Sequence, residues 1–143
     1  MGDYHVRMAF DIAATPASVM KALASTEGIA SWWSDNVVGE ASEVGDTYEI
    51  GFPDGPVPFQ LEVVELSDTR VGWHIAEMPP PWAGTTILLE VGPASGGAKL
   101  LFEHRDFDAD NPAIPIITPA WAQILLRLKQ VVESGTPDAF FQS

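Results

Sequence analysis

Val6, Met8, Phe10 and Ile12 alternate with His5, Arg7, Ala9 and Asp11, the period of two that a strand with one buried face imposes. Thr15-Pro16 follows, a hydroxyl able to cap a helix and a proline suited to its first turn. Val19, Met20 and Leu23 then share one helical face. Ser25-Thr26-Glu27-Gly28 interrupts that helix, and Ile29, Trp32 and Trp33, spaced by three and four, predict a second short helix ending near Ser34. Alternation returns further on. Tyr48, Ile50 and Phe52 form one inward row; Phe59, Leu61 and Val63 a second; Val71, Trp73 and Ile75 a third. Ile87, Leu89 and Val91, then Leu100, Phe102 and His104, complete the set, opposed by Glu90, Lys99, Glu103 and Arg105. Turn signals separate these rows at Val44-Gly45-Asp46, Pro53-Asp54-Gly55, Ser67-Asp68, 78–84 and 93–97. Such a sheet is antiparallel, dry on one face and wet on the other.

A dry face needs a cover. Trp121, Ile124, Leu125, Leu128, Val131 and Val132 lie on one continuous helical stripe, with Gln123, Arg127, Gln130 and Glu133 elsewhere. Thr118-Pro119 is the expected start of this helix and Gly135 its expected stop. The order predicts an α+β fold: a curved antiparallel sheet of about seven strands around one long C-terminal helix, with two short helices after the first strand. Residues 1–135 are expected to form a single domain and 136–143 a C-terminal tail.

Composition narrows the function classes. The 143 residues include five Trp and seven Phe, enough apolar surface to fold unaided, and a formal charge of −13, which repels phosphate backbones and anionic lipids. Nucleic acid and membrane partners are therefore not expected. The absence of Cys excludes disulfides, thiolate nucleophiles and cysteine metal sites. The early residues pass directly into strand-like alternation, with no basic then apolar leader, so a cytoplasmic location is expected. Val6 stands where a myristoylation motif requires Ser or Thr.

Five stretches, in this order, carry a resemblance: Asp11-Ile12-Ala13-Ala14-Thr15-Pro16 with Val19; the Trp32-Trp33 pair; Val44-Gly45-Asp46; Leu61 to Leu66 leading to Arg70 and Trp73; and Trp121 through Gly135. The chain resembles the START-like or helix-grip (SRPBCC) superfamily over nearly its whole length. Within that superfamily it is similar to the branch named after the activator of heat shock protein 90 ATPase. The resemblance implies a sheet gripping the last helix with a cavity between them. It also groups the chain with polyketide cyclase-like and lipid-binding relatives, whose activities differ widely.

Candidate chemistry follows from what shares the dry face. Tyr48 and His104 are the conspicuous polar side chains on rows otherwise made of Trp, Phe, Ile and Leu. They could orient a ligand, or act as acid or base, or simply hydrogen-bond each other, the backbone or water. The expected ligand-binding residues are Tyr48, Phe52, Phe59, Leu61, Trp73, Ile75, Phe102, His104, Trp121 and Leu125. His74 falls on the outward row. Asp106, Asp108 and Asp110 begin like a calcium loop, but Asn111 replaces the turn glycine and Ile117 the closing Glu, so no metal is expected. The Glu77 to Trp82 segment is stiff and partly polyproline-like, a possible pocket lip or an ordinary connection. Phe140 and Phe141 could dock on the domain or on a second copy. No nucleophile elbow, P-loop or dinucleotide turn occurs.

Three functions fit this reading. The first is binding of a small hydrophobic or aromatic molecule, without cofactor, between sheet and helix. The second is a cofactor-free polyketide cyclase-like enzyme using His104 or Tyr48. The third is a homodimeric, co-chaperone-like interaction domain.

Overall fold

A computed structural model describes residues 2–53, 55 and 57–142. The described residues form one seven-stranded antiparallel sheet ordered β1-β7-β6-β5-β4-β3-β2. The strands are β1 Tyr4–Ile12, β2 Asn36–Gly39, β3 Thr47–Gly51, β4 Phe59–Leu66, β5 Arg70–Ile75, β6 Thr85–Ala94 and β7 Gly97–Phe107. Helices α1 Pro16–Leu23 and α2 Thr26–Ala30 separate β1 from β2, and α3 Ile114–Ser134 closes the chain. The α+β expectation holds, and the seventh strand, to which no inward row had been assigned, is β2.

Alternation puts the rows where the pattern required. Val6, Ile12, Tyr48, Ile50, Leu61, Val63, Val71, Trp73, Ile75, Ile87, Leu89, Val91, Leu100, Phe102 and His104 are all buried. The register aligns them across strands: Trp73 opposes Val63 and Ile87, and Ile87 opposes His104. Trp121, Leu125 and Leu128 of α3 join this core. The β6–β7 hairpin turns tightly at its end, where Gly97 has φ 155° and an added Cβ would overlap the Ile12 carbonyl. Of the expected turn at Pro53-Asp54-Gly55, Asp54 lies outside the described residues.

Two boundaries differ from expectation. Thr15 caps α1 as predicted, its Oγ1 accepting from the Ser18 N–H. The second helix, however, stops at Ala30, before the paired tryptophans. The carbonyls of Ser31, Trp32 and Trp33 accept from the N–H groups of Asp138, Phe140 and Phe141, so this stretch pairs with the tail instead of continuing as helix. The long helix begins at Ile114, ahead of Thr118-Pro119. Pro115 takes the first-turn position, and Thr118 Oγ1 donates to the Ile114 carbonyl 2.6 Å away, a partner for an acceptor early in the helix. Pro119 then lies inside the helix. The stop at Gly135 is as expected, with φ 75° and its N–H donating to the Val131 carbonyl.

Candidate functional site

Between the inner face of the sheet and the start of α3 lies an open cavity of about 120 Å³ whose lining residues are all apolar. Phe52, just past the end of β3, and Phe59, at the start of β4, form one wall, their rings edge to face with centroids 4.6 Å apart. Trp121, Ala120, Ile117 and Ile124 of α3 form the opposite wall. Trp82 enters from a 3₁₀ turn at Pro80–Trp82, and Trp33 from the turn after α2. Phe141 closes the ring, 4.8 Å from Phe52 between centroids. The tail holds it there through paired backbone hydrogen bonds, Phe141 N–H to the Trp33 carbonyl and Asp35 N–H to the Phe141 carbonyl. The two terminal phenylalanines thus pack on their own domain.

Of the ten residues expected to bind a ligand, Phe52, Phe59 and Trp121 line this cavity. Tyr48, Leu61, Trp73, Ile75, Phe102, His104 and Leu125 are buried in the closed core and lie outside its lining. Trp82 had a recognisable signal, the stiff proline run before it. Trp33 and Phe141 were visible as aromatics, but their meeting depends on the tail reaching back more than a hundred residues. Ile117, Ala120 and Ile124 follow from Trp121 by helical spacing once α3 starts at Ile114.

His104 sits behind the cavity as the centre of a relay. The Trp121 indole N–H donates to His104 Nδ1 at 3.0 Å. A neutral ring with Nδ1 occupied as acceptor carries its proton on Nε2, and Nε2 lies 2.9 Å from Thr85 Oγ1. The Thr85 hydroxyl in turn donates to the Trp82 carbonyl. Burial lowers the His104 pKa from the usual 6.5 to about 3, so the ring is neutral at physiological pH. Both nitrogens are engaged, and no lone pair is left for a substrate proton.

Tyr48 is in the opposite condition. It is buried edge-on against Trp73, with centroids 5.8 Å apart, and burial raises its pKa well above the usual 10. Neither its hydroxyl nor the Trp73 Nε1 has a hydrogen-bond partner among the described residues. Tyr48 and His104 are therefore not joined to each other. His74 Nδ1 lies 3.0 Å from Thr86 Oγ1 on the outward row.

A wider groove of about 610 Å³ crosses the outer sheet face. Its charges pair among themselves and with neighbours: Glu103 with Arg7 at 3.1 Å and Arg105 at 3.3 Å, Arg70 with Glu65 at 2.8 Å and Glu90 at 3.7 Å. This is a solvated ion-pair network, with little to gain from a ligand. Among the described residues no helix is long and apolar enough to cross a membrane.

No family model matches the sequence, and no curated protein matches it. Solved structures do. The Aha1 dimer from Colwellia psychrerythraea is 27% identical with a TM-score of 0.82, over 92% of this chain and 98% of that one. Protein MLL2253 from Mesorhizobium loti is 20% identical with a TM-score of 0.79, over 92% and 98%. DynU16, a protein of the dynemicin biosynthetic locus, is 17% identical with a TM-score of 0.80, over 99% of this chain and 51% of DynU16. The chain resembles the START-like helix-grip superfamily, and the Aha1 branch within it, in structure as in sequence.

Proposed function

We propose that this protein binds a small apolar or aromatic molecule in the cavity between sheet and C-terminal helix. The observation that carries this reading is the open, wholly apolar pocket of about 120 Å³ walled by six aromatic rings. A protein gains nothing in stability from leaving such a space unfilled, because its lining forgoes packing contacts. A cytoplasmic setting belongs to the same proposal.

The cyclase-like alternative has less behind it. His104 and Tyr48 stand outside the lining, and both His104 nitrogens are already hydrogen-bonded. A homodimeric, co-chaperone-like role is the second reading, favoured by the dimeric state of the Colwellia protein.

Titration with toluene tests the first reading. Trp33, Trp82 and Trp121 face the pocket, so their fluorescence should quench saturably. Ala120→Phe, which fills the space, should weaken binding by about tenfold or more with the circular dichroism spectrum unchanged. A wild-type protein with no saturable response, or an Ala120→Phe variant that binds equally well, overturns the reading.

A further inference from the structure

We propose that the relay of Trp121, His104, Thr85 and Trp82 makes this pocket selective for a single aromatic ring without hydrogen-bonding substituents, His104 acting as a positioning residue. The proposal rests on the ligand-binding reading above and deepens it by naming the ligand class.

Two walls of the pocket come from elements far apart in the chain, Trp121 from α3 and Trp82 from the 3₁₀ turn. Their rings lie 6.0 Å apart between centroids. Each of these two lining residues carries a strong hydrogen-bonding group, the indole N–H of Trp121 and the backbone carbonyl of Trp82. Both groups are taken up by residues outside the lining. Trp121 donates to His104 Nδ1, His104 Nε2 donates to Thr85 Oγ1, and Thr85 donates to the Trp82 carbonyl. A neutral imidazole accepts at one nitrogen and donates at the other, which lysine and arginine, having no acceptor, could not do. The ring is also packed against Trp82 at 4.7 Å and Phe107 at 4.4 Å, so its orientation is set by contact as well as by hydrogen bonds.

The consequence is a pocket with no polar group to offer. A phenol or an aromatic carbonyl entering it would give up its hydration with nothing in return. An apolar pocket can discriminate against an added hydroxyl by about a hundredfold. Size points the same way. The volume of about 120 Å³ is below the roughly 300 Å³ of ordinary ligand pockets. It is close to the roughly 150 Å³ of an apolar cavity that takes benzene.

The test measures binding of toluene and p-cresol to the full chain, by fluorescence and calorimetry, for wild type, His104→Phe and Thr85→Val. His104→Phe keeps an aromatic ring in an aromatic setting but leaves the Trp121 N–H without its acceptor and the Thr85 oxygen without its donor. Thr85→Val keeps shape and removes the hydroxyl that joins His104 to the Trp82 carbonyl, two links of the relay, and serves if the first variant does not fold. Wild type should bind toluene about ten to a hundred times more tightly than p-cresol. In either folded variant that ratio should shrink to within about threefold, because a freed donor or acceptor gives the hydroxyl a partner. An unchanged ratio in a folded variant, or a wild-type preference for p-cresol, overturns the relay's role and leaves the pocket reading intact. No saturable binding of toluene to wild type overturns the pocket reading and this proposal with it. Independently of any ligand, imidazole ¹⁵N spectra should show His104 as the Nε2–H tautomer, and an Nδ1–H tautomer overturns the relay.

Discussion

His104 and Tyr48 occupy equivalent positions in the pattern, each a polar side chain on an inward row, and both are buried. Their polar atoms nevertheless meet opposite fates. His104 lies where β7 is roofed by α3 and flanked by the Pro80–Trp82 turn, and these bring an indole N–H and, through Thr85, a carbonyl to its two nitrogens. Tyr48 lies on β3, where its neighbour Trp73 presents a ring face and the hydroxyl meets no partner among the described residues. Strand alternation decides burial for both. Whether burial stabilises or strains depends on what packs above, and one site is a tied joint while the other carries an unmet hydrogen bond.

The largest test of this contrast is His104→Ala. It removes a packed ring, leaves the Trp121 N–H without its acceptor and takes one of two hydrogen bonds from the Thr85 hydroxyl, so urea unfolding should show a loss of about 3–5 kcal/mol. A loss under about 1 kcal/mol would place His104 in the same class as Tyr48.

Acid titration sharpens the same point. Burial depresses the folded-state pKa of His104 from 6.5 to about 3, so between these values the unfolded chain takes up a proton that the folded chain refuses. The contribution is full above about pH 6.5 and is lost as the pH falls toward 3, with a slope of up to about 1.4 kcal/mol per pH unit. His104→Phe should lack this part of the acid slope. Tyr48 acts at the other end. Its raised pKa means the folded chain keeps a proton that the unfolded chain releases near pH 10, so stability falls as the pH rises through 10.

The smallest effect is Tyr48→Phe. Deleting a hydroxyl that pays desolvation without a partner should raise stability by about 1 kcal/mol and remove the alkaline loss. Chemical unfolding at pH 7 and above 10 reads both. A destabilisation of about 1 kcal/mol or more would mean that the hydroxyl has a partner and that the contrast with His104 is false.

The sheet and its cover were legible in the chain because alternation and helical periodicity are local. The inward rows from Val6 to His104, the stripe from Trp121 to Leu128, the Thr15 cap and the Gly135 stop each depend on residues a few positions apart. That locality also explains the misplaced boundaries. Ala30 ends α2 because the tail from Asp138 to Phe141 takes the carbonyls of residues 31–33, and nothing near Trp32 in sequence announces that partner.

Periodicity says which residues face inward, and it cannot say where the inward layers fail to meet. Leu61, Ile75, Phe102 and Leu125 are buried in the core, while Phe52, Phe59 and Trp121 border a gap that Trp33, Trp82 and Phe141 complete from distant points in the chain. The sequence by itself determined the architecture and a dry interior rich in aromatics. The tertiary structure alone decided which of those aromatics border open space and which polar atom finds a partner, because both are set by the fit between layers far apart along the chain.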